Sequence, residues 1–376
     1  MDTCGHELSL DKSRVAYLCN TFGVPDHDRC RALGNSGAEV LALDWALTDS
    51  EYQWSIPAQP ATYRRRRIPV QAGRLPDYLS GTWILCRQLA GFRPDLVLVY
   101  GYHNPAFFLV AVACRLSGAK VVTMNDSRFD DYGRKLQDEL VKAAALRPYA
   151  ACLAGSTSAK RYAEFLGVRD VQVYHCAIDT QRVREQSPSG DKIAFADRPF
   201  VCVARFVEKK NHNLLLNAFE DYVRTSDRPR RLVLIGYGPL DAEIRRRVEE
   251  SAILSRHVSF RGYVEASDIP AMVHNALALI LPSKSDQFGI VVTEALAAGT
   301  PALVSSNAGA RDLVLDFVNG FTIDPANTLG WTRAMAHLDA DEARWLEMSA
   351  AAAASVASAD VGAFVSNVSA LVGRGR

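Results

Sequence analysis

The chain has 376 residues, of which 48% are hydrophobic and 23% are charged, and this length suits two domains of ordinary size. Its net charge of +1 excludes a general polyanion binder, so we expect no nucleic-acid partner. No apolar run reaches the roughly 18 residues that a membrane span requires, and the polar N-terminus carries no signal-peptide pattern.

Short apolar runs alternate with longer helical patterns along the chain. In the first half, strands are predicted at 15–19, 40–43, 96–100, 120–124, 151–154 and 171–174, with helices at 79–90, 107–116 and 132–145. In the second half, strands are predicted at 200–203, 231–235, 258–261, 278–281 and 302–304, with helices at 213–223, 241–251, 269–275, 290–298 and 361–372. Two successive β/α series predict two parallel, doubly wound sheets.

The polar segment 184–198 contains Pro188, Ser189 and Gly190, which makes it the best domain boundary. We therefore predict an N-terminal domain over 1–188, a C-terminal domain over 189–360 and a terminal helical segment over 361–376. The cysteines are scattered singly, and some, such as Cys19 and Cys202, fall within strand-like runs. This pattern predicts reduced thiols in a cytosolic protein, with no zinc site.

Residues 282–301 carry the most informative motif of the chain. A polar loop with Asp286 leads through Phe288, Gly289 and Ile290 into a short helix that carries Glu294 about one turn in. The start of such a helix offers free N–H groups to a phosphate, and glycine lets a ligand approach the backbone. The two acids can accept hydrogen bonds from ribose and sugar hydroxyls. The alternative is a buried helix behind a solvated acid; the complete string, which ends in Gly-Thr-Pro, favours a nucleotide-sugar donor site.

This string resembles the donor motif of the retaining GT-B glycosyltransferases of family 4, in which an acid and a Glu have seven residues between them, as Asp286 and Glu294 do here. Most members have Glu at the first place, so Asp286 is a departure. The resemblance implies the GT-B fold, an α/β architecture of two Rossmann-like doubly wound domains that face a central cleft. It also implies that the last helix crosses back to the N-terminal domain.

The second domain opens with an apolar strand that delivers Arg205 and Lys210 before the next helix. The resemblance implies that this pair holds the donor diphosphate, where fixed cations stabilise the negative charge that grows on the leaving group. Lys209 is the alternative to Lys210. The competing interpretation is a pair of solvated basic residues, which is less favoured when the pair is taken together with the Asp286–Glu294 motif.

Two further loops of the second domain are donor-binding candidates. Gly236 and Gly238 form a glycine turn after a strand, an element that the family places beside the nucleotide but that is weak evidence alone. Arg261 and Tyr263 follow the next strand and match the loop that holds the nucleobase. An ordinary loop after a buried strand explains them equally well.

The first domain supplies acceptor candidates with looser support. The loop 21–29 after the first strand contains Gly23 and His27, where many relatives have two glycines. Asn125 and Asp126 end a later strand where relatives often have His-Asp, and Asn cannot titrate near neutral pH. His103 also follows a strand, although a lone histidine is weak evidence for a site.

The run Arg64, Arg65, Arg66 and Arg67 lies in a stretch that looks like a loop, between Pro60 and Pro69. It suits an anionic lipid surface or a phosphorylated acceptor, and many relatives act on lipid-linked acceptors. A solvated basic loop is the alternative.

The resemblance implies a retaining transfer of a hexose from a UDP- or GDP-sugar to a hydroxyl of a glycan, glycolipid or small-molecule acceptor. No Asp-x-Asp metal pair follows a predicted strand, so we expect no metal and no cofactor. The expected location is cytoplasmic, with the inner membrane face as a peripheral alternative. Two other functions stay open. One is a nucleotide-sugar hydrolase or epimerase of the same fold. The other is a non-catalytic nucleotide-sugar-binding protein, and it rests on the departures at Asp286, Asn125 and the first glycine loop.

Overall fold

A computed structural model describes residues 10–45, 62–69, 75–131, 133–187 and 193–373. The chain divides into two compact units, Met1–Asp179 with Ser358–Arg376, and Thr180–Ala357. The predicted boundary between residues 188 and 189 lies outside the described residues.

The strands are β1 (Arg14–Cys19), β2 (Glu39–Asp44), β3 (Arg64–Arg67), β4 (Leu96–Tyr100), β5 (Lys120–Asn125), β6 (Ala151–Ala154), β7 (Val171–Val173), β8 (Phe200–Val203), β9 (Leu232–Ile235), β10 (Val258–Gly262), β11 (Ala278–Leu281), β12 (Ala302–Ser305) and β13 (Gly320–Ile323). The helices are α1 (Val24–Asn35), α2 (Leu75–Phe92), α3 (Pro105–Leu116), α4 (Leu136–Leu146), α5 (Thr157–Phe165), α6 (Thr180–Gln186), α7 (His212–Thr225), α8 (Asp241–Glu250), α9 (Leu254–His257), α10 (Ile269–His274), α11 (Ile290–Ala297), α12 (Thr328–Asp339), α13 (Glu342–Ala354) and α14 (Val361–Gly373).

Each unit is built on one parallel sheet. The first sheet has the strand order β3-β2-β1-β4-β5-β6-β7, and the second has β10-β9-β8-β11-β12-β13. Both orders are doubly wound, with the direction of winding reversing between β1 and β4 in one sheet and between β8 and β11 in the other. Ligands of such sheets bind beyond the carboxyl ends of the strands at this reversal. The carboxyl end of each sheet at this reversal is therefore the expected ligand edge of its unit.

The strands read as continuous apolar runs because helices cover both faces of each sheet. In β1 the residues Val15 to Cys19 are all fully buried, as are all four residues of β11. Among the described residues, the first unit has a core around Trp45 and Phe107, and the second unit has one around Phe219 and Trp331. Every strand predicted from an apolar run is confirmed, whereas β3 and β13 were not predicted.

The arginine run is a strand and not a loop, which corrects the prediction. Arg64 to Arg67 form β3, the edge strand of the first sheet, paired in parallel with β2. The Arg65 guanidinium donates two hydrogen bonds to the Asp44 carboxylate at 3.0 and 2.9 Å, and Arg67 Nε donates a third at 3.2 Å. Four arginines have no apolar alternation, and the two carboxylates of β2, Glu39 and Asp44, pair with three of them. Charged side chains are common on an edge strand, where they discourage pairing with other chains.

Helix boundaries also differ from the predictions: α2, predicted at 79–90, spans Leu75–Phe92, for example. The stretch predicted as a loop at 21–29 is helical from Val24, since α1 starts there after Gly23. Its buried residues include Asp26, His27 and Arg29, so the helix has no apolar stripe that a periodicity argument detects. Helix α4 spans Leu136–Leu146, whereas the predicted start at 132 lies outside the described residues. Before it, the Arg128 N–H donates to Asp131 Oδ2 at 2.7 Å in a local turn.

Helix α14 belongs to the first unit. Asn367 Nδ2 donates to the Val173 carbonyl at 3.1 Å, and the rings of Phe364 and Tyr174 lie 5.9 Å apart. Lys120 Nζ donates to the Leu371 carbonyl at 2.7 Å. These contacts hold α14 on the first sheet. Within the described ranges, no helix is long and apolar enough to cross a membrane.

Candidate active site

The four residues predicted to be catalytic cluster around the reversal point of the second sheet. Arg205 and Lys210 follow β8, Asp286 follows β11, and β8 and β11 are hydrogen-bonded neighbours. Glu294 lies in α11, the helix that comes after the Asp286 loop. Because parallel strands end at the same edge, residues far apart in the chain meet here.

A close ionic contact in this cluster joins Lys210 to Asp286. The Nζ atom of Lys210 lies 2.5 Å from Asp286 Oδ2, and the two side chains are only 14% and 13% exposed. Ser283 Oγ also donates to Asp286 Oδ2, at 3.3 Å. Lys209, the alternative to Lys210, is exposed. The geometry therefore favours Lys210 over Lys209 as the lysine that contacts Asp286.

Backbone contacts hold the two loops together. The Lys284 N–H donates to the Lys209 carbonyl at 2.8 Å, and the Asp286 N–H donates to the Asn307 carbonyl at 3.1 Å. Asn211 has a left-handed backbone (φ 59°), and its Nδ2 donates to the carbonyls of Pro282 and Pro325 at 3.1 and 2.9 Å. Sequence reasoning missed Asn211. The tolerance of Asn for the left-handed region, directly after the two lysines, is the feature that points to it.

Helix α11 starts at a position that only glycine occupies without strain. Gly289 has φ 98°, and a Cβ there would lie 2.5 Å from Leu281 Cδ2. Phe288 is 4% exposed and anchors the loop, and its carbonyl accepts a hydrogen bond from the Ala310 N–H at 2.9 Å. Ile290 and Glu294 are both half-buried. The first N–H groups of α11 are therefore presented on a rigid support.

The glycine turn after β9 packs directly against the loop after β8. A Cβ on Gly236 (φ 138°) would lie 2.0 Å from the Ala204 carbonyl oxygen, and one on Gly238 would lie 2.5 Å from that of Phe206. The Phe206 N–H donates to the Tyr237 carbonyl at 2.9 Å. The absence of a side chain at these glycines allows the loop after β9 to pack closely against the loop after β8.

We expect Gly236→Ala to destabilise the second unit by about 2 kcal/mol or more, because the new methyl group meets a carbonyl oxygen at a strained φ. Urea denaturation followed by tryptophan fluorescence measures this. Gly91→Ala is the control, since a Cβ there meets nothing within 4 Å. Equal stability of the Gly236→Ala variant and the wild type would contradict the expectation.

Arg261 and Tyr263 lie beside an open cavity of the second unit. Its volume is about 740 Å³, and its lining also includes Gln186 and Met272. Tyr263 is 46% exposed and Tyr237 is 42% exposed, and their ring centroids lie 5.9 Å apart in an edge contact. Flat exposed rings beside a cavity suit a planar ligand group.

His212 lies next to the cluster and is uncharged at neutral pH. Burial lowers its pKa to about 4, and the charge of Lys210 adds to that effect. Neither ring nitrogen has a hydrogen-bond partner within the described residues, and the ring contacts Phe206 edge-on at 4.8 Å. The residue thus adds no positive charge beside Lys210.

In the first unit, the predicted acceptor residues fall into two environments. Gly23 caps α1, where its N–H donates to Asp26 Oδ2 at 2.9 Å. His27 is buried inside the same helix, with Nδ1 2.9 Å from the Tyr63 hydroxyl. His103 instead lines a groove on the surface. Desolvation, with the charges of Lys142 and Arg134, lowers the pKa of His103, so it stays neutral near pH 7.

Asn125 and Asp126 sit at the end of β5 in a buried polar network. Asn125 is 5% exposed, and its Oδ1 accepts from the Ser127 N–H at 3.1 Å. Asp126 accepts hydrogen bonds from the hydroxyls of Tyr100, at 2.5 Å, and Tyr174, at 3.4 Å. The network includes Arg29, which is 1% exposed and lies over both tyrosine rings; sequence reasoning missed it because it is on a helix without apolar periodicity.

Across the described parts of the chain, no group of three or more His, Cys, Asp or Glu is placed to hold a metal ion. The described cysteines are all free, and Cys19 and Cys202 are buried.

Comparison with known proteins follows the same division into two units. A family model described as glycosyl transferases group 1 matches residues 177–354, and a glycosyl transferase 4-like domain matches residues 27–175. Among solved structures, Anabaena HepE in complex with UDP has a TM-score of 0.73 at 15% identity, over 96% of this chain and 100% of that one. Sucrose-phosphate synthase from Thermosynechococcus elongatus has a TM-score of 0.72 at 19% identity, over 96% and 99%. The predicted GT-B fold class is confirmed.

Curated relatives are similar over shorter stretches. A GDP-mannose-dependent alpha-(1-6)-phosphatidylinositol monomannoside mannosyltransferase from Mycobacterium tuberculosis is 29% identical over 188 residues, 46% of this chain and 48% of that protein. A D-inositol 3-phosphate glycosyltransferase from Xylanimonas cellulosilytica is 39% identical over 74 residues, 20% and 18% of the two chains. The matched region thus covers about half of the length of the mycobacterial relative (48%) and 18% of the length of the Xylanimonas relative. This chain belongs to the group 1 glycosyltransferases.

Proposed function

We propose that this protein is a retaining glycosyltransferase that moves a hexose from a UDP- or GDP-sugar to an acceptor hydroxyl. The observation that carries the proposal is the contact of Lys210 with Asp286 at the reversal point of the second sheet, next to the α11 N-terminus and Glu294. Cations, N–H groups and carboxylates at one strand edge match the parts of a nucleotide-sugar: a diphosphate, a ribose and a hexose.

Each part of the donor has a candidate partner. Arg205, Lys210 and the α11 N-terminus bind the diphosphate, and Glu294 binds the ribose diol. Asp286 binds hydroxyls of the hexose. Arg261 and Tyr263 border the nucleobase, whose planar ring suits the cavity beside the exposed tyrosines.

The mechanism we propose is a front-face displacement. The bond from the anomeric carbon to the phosphate oxygen breaks, and its electron pair stays on that oxygen. The acceptor oxygen bonds to the same face of the sugar, and its proton passes to the departing phosphate oxygen. Lys210 and Arg205 stabilise the charge that grows on the diphosphate, and positioning supplies much of the remaining rate.

Names of similar proteins support the donor class. The mycobacterial relative is described as GDP-mannose-dependent, and the Anabaena structures contain UDP or UDP-glucose. The same relative acts on a phosphatidylinositol mannoside, which supports a lipid-linked or glycan acceptor. We assign the acceptor to the first unit, where Gly23, His103 and Asn125 lie at or near strand ends.

A thermal-shift panel of UDP-, GDP-, ADP- and dTDP-sugars tests the proposal first, since a ligand at 100 times its Kd adds about 2.7 kcal/mol of stability. Product analysis with the bound donor follows, with and without hydroxyl acceptors. Glycoside formation supports transfer. Equally fast donor hydrolysis or epimerisation without acceptor indicates the related enzyme classes, and donor binding without turnover indicates a binding protein.

We expect the reaction to be independent of divalent metal, because Arg205 and Lys210 supply the positive charge that the leaving diphosphate requires. Excess EDTA should leave the initial rate nearly unchanged. A loss of rate that Mg²⁺ or Mn²⁺ specifically restores would contradict this assignment.

A further inference from the structure

Helix α4 in the first unit buries a carboxylate and exposes apolar side chains, the reverse of an ordinary surface helix. Its buried residues are Glu139 and Leu146. Leu136, Leu140 and Val141 point outward, with exposed fractions of 75%, 63% and 69%. A surface helix normally turns its apolar stripe to the core, so this exposed stripe requires an explanation.

The orientation of α4 is set by its buried carboxylate. Glu139 Oε2 accepts from the Tyr162 hydroxyl at 2.6 Å, and Oε1 accepts from Lys142 Nζ at 2.9 Å and from Arg134 Nη1 at 3.3 Å. Rotating the helix to bury its leucines would break these contacts and separate buried charges, which is costly. The fold therefore holds Leu136, Leu140 and Val141 outward.

The exposed stripe continues into a groove between α3 and α4. The groove has a volume of about 410 Å³, and its walls are largely apolar, with Phe108, Leu109, Val141 and Ala145. Leu109 is itself 44% exposed. The groove begins at His103, just beyond the end of β4, so the apolar surface reaches the ligand edge of the first sheet.

Cationic side chains stand at both ends of this apolar face. Lys135 caps the start of α4 and Arg147 caps its end, and both are exposed. Arg115 lies beside Arg147, since its Nη1 donates to the Pro148 carbonyl at 3.1 Å. On the helix itself, Asp138 is the exposed acid. A face of leucines between cations complements an anionic lipid surface in both its apolar and its charged parts.

We propose that the α4 face, defined by Leu136, Leu140, Val141 and Leu109 with Lys135 and Arg147, docks on an anionic lipid bilayer. The leucines enter the boundary between headgroups and acyl chains, and the cations meet anionic headgroups. The arginines of β3 are a poorer candidate, because Arg65 and Arg67 already pair with Asp44. This proposal is independent of the glycosyl transfer proposed above, and its test requires no turnover.

The test is co-sedimentation of the full chain with vesicles of phosphatidylcholine containing phosphatidylglycerol. The double variant Leu140→Gln/Val141→Gln removes two apolar contacts and should weaken vesicle binding by at least about tenfold. Leu346→Gln is the matched control, since Leu346 is a 54% exposed leucine on helix α13 of the second unit. It should bind as the wild type does, and raised salt should weaken binding.

The charge-reversal variant Lys135→Glu/Arg147→Glu keeps the test decisive if the first variant folds poorly. It changes exposed side chains only and should lose binding to anionic vesicles. Wild-type protein that fails to sediment with anionic vesicles overturns the proposal, as do variants that bind equally well. A wild-type dimer that becomes a monomer in Leu140→Gln/Val141→Gln would assign the face to a second copy of the chain and also overturn it.

Discussion

Lys210→Ala is expected to lower kcat by on the order of 10²-fold, as the loss of a preorganised charge at a leaving group does. Lys210 Nζ lies 2.5 Å from Asp286 Oδ2, and the Lys210 side chain is 14% exposed. A charge in so sheltered a place acts strongly on a neighbouring diphosphate. Steady-state kinetics at saturating donor measures the effect.

Lys209→Ala is the matched control for this variant. Lys209 is the preceding residue, carries the same charge and is exposed, so its removal should leave kcat near the wild-type value. Equal losses in the two variants would indicate a general effect of charge and not a placed contact. A Lys210→Ala variant with wild-type kcat would refute the assignment.

Glu294→Gln is expected to weaken binding of the free nucleoside diphosphate by about 10- to 100-fold, the cost of losing hydrogen bonds to a charged group. The ribose does not change during the reaction, so this variant should raise KM and largely spare kcat. Glu250→Gln on α8 is a control, because that side chain is 72% exposed. Calorimetric titration with UDP and GDP measures the affinity.

Asp286→Asn should behave in the opposite way. Its assigned partner, the hexose, gains positive charge as the bond to phosphate breaks, so the variant should depress kcat. Removing the carboxylate also frees Lys210 from its partner, and nucleoside diphosphate affinity should stay the same or rise. A double-mutant cycle with Lys210→Ala measures the coupling. If Asp286→Asn loses diphosphate affinity as severely as Glu294→Gln, the proposed division of roles is wrong.

The local sequence was sufficient to predict those elements whose burial follows directly from the polarity of their residues. Apolar runs such as 278–281 became buried strands because a parallel sheet covered by helices leaves no polar face to interrupt the run. The glycine before α11 was likewise readable, since few other residues tolerate a φ of 98°. The assignment of the acids at positions 286 and 294 to a donor site came from the resemblance of their motif to the family, and it stays a prediction.

Elements held together by polar contacts were decided by the tertiary structure alone. Strand β3 has no apolar residue, and Asp44 on the neighbouring strand pairs with Arg65 and Arg67. Helix α1 buries Asp26 and Arg29 in a network with Tyr17. The contact of Lys210 with Asp286 spans 76 positions of sequence. Such contacts depend on which strands become neighbours, and hydrophobic periodicity carries no information about that. The outward leucines of α4 follow the same rule, because the buried partners of Glu139 set the orientation of the helix.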